Sequence, residues 1–274
     1  MTPVALTIAG SDSGGGAGIQ GDLKTFSAMG VYGCSVLTAL TAQNTLGVQG
    51  IFPVSPDFVR QQIDSVFSDI AVAAVKIGML GTPEVIAAVA DALHHWRPRH
   101  VVLDPVMIAK GGDRLLEDAA VAALRERLLP LATLITPNLP EAAVLLGEEP
   151  VRERRRMGGV AARLQGIGAR NVLLKGGHLE GPESPDLLLH GGELIWLEGE
   201  RIATHNTHGT GCTLSSAIAA LLAEGRPLPL AVAEAKRWLG AAIAAADGLR
   251  IGHGHGPVHH FHALWPRLSE RASP

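Results

Sequence analysis

The sequence predicts an α/β fold in which helices cover a mostly parallel sheet, and three observations carry that reading. Short apolar runs alternate along the chain with stretches of helical periodicity, the pattern of repeated strand–helix units. Those runs end in glycine or acidic turns such as Gly10, Gly78 and Asp104, as strands do where an open α/β sheet presents its carboxyl edge to a ligand. Hydrophobic residues make up 47% of the chain but aromatic residues only 4%, so the core must be assembled from Ala, Val, Leu and Ile. A length of 274 residues suits one large domain spanning 1–274.

Composition also excludes classes of function. A net charge of −3 argues against a duplex nucleic-acid footprint and for a small partner. Two cysteines, Cys34 and Cys212, cannot make a disulfide framework and are ordinary in a reducing compartment. The chain opens on a strand-like run without a basic leader, and no apolar stretch reaches membrane-spanning length. The expectation is a cytoplasmic protein.

Taken in order, Val4 to Ala9 reads as a strand and Gly10 to Gly18 as a glycine loop. Ile19, Leu23, Phe26 and Met29 then mark one face of a helix. The loop is neither a P-loop, since Gly16-Ala17 stand where Lys and Ser/Thr are required, nor a dinucleotide fingerprint, since Ile19 breaks the frame. Cys34 to Leu40 is expected as a second strand delivering Thr41 to Asn44 at its carboxyl end, and Val48 to Val54 as a third. Ser55-Pro56 and Thr82-Pro83 are cap-plus-proline helix starts. Between those starts Val72 to Ile77 is a strand ending at Gly78-Met79, and Val101 to Leu103 ends in Asp104-Pro105.

Met107 to Arg114 has the composition of a mobile lid before a helix over Ala119 to Leu129. Leu134 to Thr136 is a strand running into Pro137-Asn-Leu-Pro-Glu141, which places Asn138 and Glu141 one turn apart at a helix start. The basic run Arg152 to Arg156 reads as the solvated face of a helix reaching Leu164. Val172 to Leu174 is a strand ending at Lys175, and Asp186 to His190 with Glu193 to Leu197, joined by Gly191-Gly192, form a hairpin. A short strand is expected around Arg201 to Thr204, and an Ala-rich helix from Leu228 to about Ala246. The tail Gly252 to His262 is dense in histidine, but without a Cys or acidic partner it reads as structural rather than as a zinc site.

The stretch Thr207-His-Gly-Thr-Gly-Cys-Thr-Leu-Ser-Ser216 turns from loop into helix, with Leu214, Ile218 and Leu221 on one face. Gly209 and Gly211 let the backbone close on a ligand, and the free amides of Gly209 to Cys212 at a helix N-terminus suit a phosphate or a transferring phosphoryl group. Thr207 and Thr210 belong to the same loop. A thiol in that field is expected to have its thiolate favoured, which makes Cys212 the better cysteine for chemistry.

With these residues the chain resembles the hydroxymethylpyrimidine and phosphomethylpyrimidine kinases of thiamine biosynthesis, in the ribokinase-like superfamily. The resemblance spans nearly the whole length, through Leu6 to Gln20, Asp22 to Phe26, Thr38 to Asn44, Lys76 to Met79, Leu103 to Met107, Thr136 to Glu141, Lys175 to His178 and Asn206 to Cys212. It implies a three-layer α/β/α sandwich with a small hairpin lid, and a homodimer. The implied activity is ATP-dependent phosphorylation of 4-amino-5-hydroxymethyl-2-methylpyrimidine and then of its monophosphate.

The pyrimidine would sit near Gly10, Asp22, Gln43 and Met79, with ATP toward Lys175, Asn138 and Thr207. Gln43 can read the aminopyrimidine edge, Asp22 can touch the hydroxymethyl group and Met79 can supply an apolar wall. Asp104 and Glu141, with Asn138, offer the hard oxygen environment that Mg²⁺ requires. In related sugar kinases an Asp acting as base stands where this family has its Cys, so Cys212 as base, as electrostatic aid or as turn residue all stay open. A similar thiol attacks the pyridoxal aldehyde in some bacterial pyridoxal kinases, which makes such a kinase the alternative reading.

Overall fold

The computed structural model describes residues 2–107 and 116–265. The proposed lid at Met107 to Arg114 therefore lies almost wholly outside the described residues.

Eight strands form the main sheet: β1 (Val4–Ala9), β2 (Tyr32–Leu37), β5 (Ala74–Ile77), β6 (His100–Leu103), β7 (Leu134–Ile135), β8 (Val172–Leu174), β9 (Asp186–His190) and β10 (Glu193–Leu197). Their order is β10-β9-β8-β7-β6-β5-β1-β2. The pairs from β2 through β8 are parallel, and β9 and β10 add antiparallel at one edge.

Side-chain alternation along these strands builds two cores. Leu6, Ile8, Val75, Ile77, Val101, Leu103, Val172 and Leu174 point to one face, where they meet Val59 and Ile63 of α2 (Pro56–Phe67). The same face packs α3 (Pro83–Trp96), α4 (Asp118–Ala123), α5 (Leu139–Leu146) and α6 (Met157–Gly166). Ala5, Ala74, Val102 and Leu173 point to the other face, against α1 (Gly18–Ala28), α7 (Thr210–Ala223) and α8 (Leu228–Ala244). Period-two burial on both faces is what a sheet covered on both sides requires, and the architecture is the three-layer α/β/α sandwich.

Helix starts follow their capping chemistry. Ser55 and Thr82 accept from the amides of Phe58 and Val85, each followed by a proline in the first turn. Asn138 and Glu141 form a reciprocal capping box on α5.

Two sequence expectations change. The run Cys34 to Leu40 is not one strand: the chain leaves the main sheet at Thr38, buried with its hydroxyl donating to the Met79 carbonyl at 2.7 Å. Beyond it β3 (Ala39–Asn44) pairs antiparallel with β4 (Gly47–Pro53) as a separate two-stranded sheet, so Thr41 to Asn44 belong to this hairpin and not to a main-sheet strand end. Residues 201–204 form no strand. Instead the Arg201 guanidinium donates to the carbonyls of Gly177, Leu179 and Gly181, and these bonds pin the segment as loop. The hairpin read at 186–197 is present, but as the edge of the main sheet; the one that stands apart is β3–β4.

Candidate active site

Because β1, β5, β6, β7 and β8 run parallel, their carboxyl ends share one edge of the sheet. Gly10, Met79, Asp104, Asn138 and Lys175 follow those ends, and the first turn of α7 meets them from the opposite layer. The result is a cavity of about 1200 Å³. Every residue singled out above lines it except Asp22: Gly10, Gln43, Met79, Asp104, Asn138, Glu141, Lys175, Thr207, Gly209, Thr210, Gly211 and Cys212.

At one end, Lys175 Nζ lies 3.0 Å from Asp104 Oδ1 and 3.8 Å from Glu141 Oε2. Asp104 also accepts from Thr136 Oγ1 at 3.0 Å and from Ser215 Oγ at 3.3 Å. Burial raises the Asp104 carboxyl, but Lys175 and Lys76 outweigh it and hold the group below its usual range. Burial pushes Glu141 up to about 7, with Lys175 opposing that shift and Asp104 adding to it. Burial alone would lower Lys175, yet Asp104 and Glu141 raise it, so it stays an ammonium throughout the neutral range.

Asn138 Oδ1 accepts from the Glu141 amide and Glu141 Oε2 from the Asn138 amide, each at 2.8 Å. This reciprocal capping fixes both side chains at the cavity wall beside Lys175.

The loop before α7 is drawn tightly against the β1–α1 loop. Gly209, the helix N-cap, has φ +78°, and a Cβ there would lie 1.9 Å from the Gly16 carbonyl oxygen. No other residue fits that position. A Cβ on Gly211 would lie 3.3 Å from Lys175 Nζ and 3.6 Å from Asp104 Oδ2, so the first turn faces the same charges. The Thr210 amide donates to the Thr207 carbonyl at 3.4 Å, and N–H groups in the first turn of a helix otherwise have no intrahelical carbonyl to bond.

Cys212 departs from its expected chemistry. Burial pushes its thiol up to about 11; Lys76 and a hydrogen bond from the Gly18 amide lower it, but Asp22 and Asp104 add to the rise. The helix N-terminus does not prevail, because desolvation disfavours the thiolate and two carboxylates stand close by.

The opposite end is formed by Gln43, Met79, Gly10, Val48 and Ile51. Gly10 and Met79 are in close contact, a Cβ on Gly10 falling 2.5 Å from Met79 Cε. Gln43 is fixed through its backbone, with the Ser13 hydroxyl accepting from its amide and donating to its carbonyl, each at 2.8 Å. Its side-chain oxygen is held by Thr41 Oγ1 at 3.3 Å.

Asp22 is corrected: it is fully buried outside the cavity lining, paired with Lys76 at 2.8 and 2.9 Å. It accepts also from Thr7 and Ser216 hydroxyls, each at 2.6 Å. Three donor groups make four hydrogen bonds to the carboxylate and occupy its acceptor sites.

Lys76, which does line the cavity, was missed as a site residue. The signal was present: a lysine inside Ala74-Val-Lys-Ile77 must be buried, and a buried ammonium needs a partner. Also missed were Asp12 and His208, joined at 2.8 Å, and Lys236, joined to Asp186 at 2.7 Å. All four line the cavity, but their partners are 196 and 50 residues apart in sequence, which no local pattern reveals. Among the described residues no group of three or more His, Cys, Asp or Glu is placed to hold a metal, the histidine-rich tail included.

This arrangement can be set beside known proteins. A family profile described as phosphomethylpyrimidine kinase matches residues 12–259. A hydroxymethylpyrimidine/phosphomethylpyrimidine kinase of Rhizobium meliloti is 58% identical over 265 residues, covering 97% of this chain and 99% of the relative. The ADP complex of Bacillus subtilis pyridoxal kinase superposes with a TM-score of 0.90 at 39% identity, covering 97% of this chain and all of that one. The phosphomethylpyrimidine kinase of Clostridium difficile 630 superposes at 0.78 with 44% identity, over 88% of this chain and 99% of that one. With the matched profile spanning the cavity-lining loops from Asp12 to beyond Cys212, the chain belongs to the phosphomethylpyrimidine kinase family.

Proposed function

We propose that residues 1–274 are a single kinase domain that transfers the γ-phosphoryl group of ATP to 4-amino-5-hydroxymethyl-2-methylpyrimidine and then to its monophosphate. The observation that carries the reading is convergence: Lys175, Asp104 and the first turn of α7 meet at one end of a cavity whose other end holds Gln43 and Met79. Relatives bearing that activity in their names match over nearly the full chain.

Phosphoryl transfer needs alignment and charge neutralisation more than covalent help from the protein. Lys175 supplies a fixed positive charge for phosphate oxygens, and the amides of Gly209 to Cys212 receive the charge that develops on the transferring group. Gln43 can accept from the 4-amino group and donate to the neighbouring ring nitrogen, while Met79 covers the ring. Thr207 and Asn138 line the same cavity, and the proposal assigns them to the nucleotide. Cys212 takes the proton of the attacking hydroxyl as its minor thiolate form, which a thiol raised to about 11 makes scarce at neutral pH but strongly basic.

The donor chemistry fits Mg²⁺: Asp104 and Glu141, two carboxylates beside Lys175, would hold the ion, which uses one or two carboxylates plus substrate phosphates. When bound it neutralises phosphate charge. The enzyme acts in the cytoplasm; no helix among the described residues is long and apolar enough to cross a membrane.

The apolar hairpin face, with Leu40, Phe52 and Leu46 exposed by 46%, 70% and 72%, is the contact between two copies in a homodimer. Leu40 and Phe52 are register partners across β3 and β4.

A pyridoxal kinase is the second reading, favoured by the 0.90 superposition on such an enzyme. Incorporation of labelled phosphate from ATP into the pyrimidine alcohol, its monophosphate and pyridoxal separates the two. The proposal expects both pyrimidines to be turned over in preference to pyridoxal. Gln43→Leu should cost the pyrimidine roughly 1–3 kcal/mol of kcat/KM, because its polar edge loses a partner. Turnover of pyridoxal alone would replace the proposal with the second reading.

A further inference from the structure

The histidine-rich tail packs against the β3–β4 turn and the loop before α7, and its glycines rather than its histidines make those contacts. His253 and His255 are exposed, whereas the alternate residues Gly252, Gly254 and Gly256 press against two other loops. A Cβ on Gly252 would fall 2.2 Å from Thr45 Oγ1, and one on Gly254 would fall 2.1 Å from the Thr45 carbonyl oxygen. A Cβ on Gly256 would fall 2.2 Å from Asn206 Oδ1.

Hydrogen bonds use these close approaches. The amides of Gly254 and His255 donate to Thr45 Oγ1 and to the Thr45 carbonyl at 3.2 and 3.0 Å. The Gly256 amide donates to Asn206 Oδ1 at 3.1 Å, and the His208 amide donates to the Gly256 carbonyl at 3.0 Å. Beyond this point the strap is anchored in the core. Val258 is fully buried, the His259 amide donates to the Ala242 carbonyl of α8, and His260 pairs with Thr213 of α7 at 3.1 Å.

The two loops so joined carry the two ends of acceptor chemistry. Thr45 is two residues beyond Gln43 in the β3–β4 turn, and His208 immediately precedes Gly209. Asn206 is held in turn by Asp247, in the short turn that follows α8, through Nδ2 at 2.8 Å. We propose that Gly252 to Val258 form a positioning strap that fixes the β3–β4 hairpin relative to the loop 206–209, and thereby sets Gln43 and Cys212 at one separation across the acceptor. Thr45, Gly254, Gly256 and Asn206 are its positioning residues. The proposal rests on the reading of Gln43 and Cys212 as acceptor-site residues. A strap of this kind needs no side chain at alternate positions, which is why glycine recurs there.

The test uses the full chain and two variants. Gly256→Ala forces a methyl group onto Asn206, and Thr45→Val removes one acceptor from an accessible turn without adding bulk. Misplacement of reacting groups by about 1 Å costs on the order of 10²-fold, so Gly256→Ala should lower kcat/KM for the pyrimidine by roughly 10–100-fold, and Thr45→Val by a smaller factor in the same direction. ADP affinity and the thermal midpoint should hold for Thr45→Val. Its effect on pyrimidine KM should vanish in a Gln43→Leu background, because the strap acts through that residue.

A second readout does not depend on the substrate: iodoacetamide labelling of Cys212, located by peptide mass, should change rate in both variants while labelling of Cys34 does not. Wild-type kcat/KM and labelling in Thr45→Val would overturn the proposal. So would a loss of activity that follows ADP affinity and thermal stability alike, or an effect on pyrimidine KM that persists undiminished beside Gln43→Leu. If the wild-type chain turns over no pyrimidine, the functional reading fails by itself and the labelling comparison still decides the strap.

Discussion

Asp22 shows how burial decides between two roles open to one carboxylate. In the first helix after a glycine loop it is placed well for a substrate alcohol, yet Lys76, Thr7 and Ser216 saturate it below the cavity floor. Removing one partner of a fully buried pair leaves the other charge uncompensated, which costs about 3–5 kcal/mol. Asp22→Ala should therefore lower the denaturant midpoint by an amount of that size, and Asp22→Ala combined with Lys76→Met should recover part of the loss. Unchanged stability with a raised pyrimidine KM would return Asp22 to the substrate. The residue types were legible from the sequence, but their pairing joins α1 to β5 across 54 positions and only the fold brings it about.

The element that matters most is the first turn of α7, where Gly209 meets two demands together, a positive φ and a 1.9 Å approach to Gly16, while Gly211 in the same turn faces Lys175. Gly209→Ala should lower stability by about 1–3 kcal/mol through backbone strain. It should lower turnover further still, because the methyl group separates this loop from the β1–α1 loop. A thermal midpoint and a single-turnover rate check the two effects; a variant with wild-type turnover would mean that the close approach has no part in catalysis.

This loop-to-helix change was readable in the sequence, since Gly-Thr-Gly followed by apolar spacing of three and four is a local pattern. The split between β2 and β3 was not readable. Cys34 to Leu40 is continuously β-forming, and the break at Thr38 comes from a hydroxyl bond to Met79, 41 residues away. The segment 201–204 misled for a related reason: its β-branched residues suit a strand, but Arg201 finds three carbonyls and holds it as loop.

At the scale of the whole molecule, the alternation of buried residues along each strand already implied a sheet covered on both faces, and the two cores separate as that pattern requires. What the pattern could not convey is the exposed face of the β3–β4 hairpin, because apolar residues in a strand look the same whether they turn to a core or to a partner. If that face joins two copies, Phe52→Asp should shift the chain from dimer to monomer in analytical ultracentrifugation with no change in thermal midpoint at low concentration. A wild-type monomer at micromolar concentration would set the homodimer aside.

The cavity joins all three scales in the proposed reaction, and the proton transfer proposed for Cys212 is the step on which they all bear. The thiol is raised to about 11, so it is protonated at neutral pH, and the thiolate fraction climbs as pH rises toward that value. The measurement is the single-turnover rate of phosphoryl transfer from ATP to the pyrimidine alcohol, followed from neutral to alkaline pH in the wild type and in Cys212→Ala. The account predicts a wild-type rate that increases with pH below about 11. In Cys212→Ala it predicts loss of that slope, with a rate about 10²–10⁴-fold lower. A rate independent of pH and equal in the two proteins would contradict it, leaving Lys175 and the loop amides to carry the transfer alone.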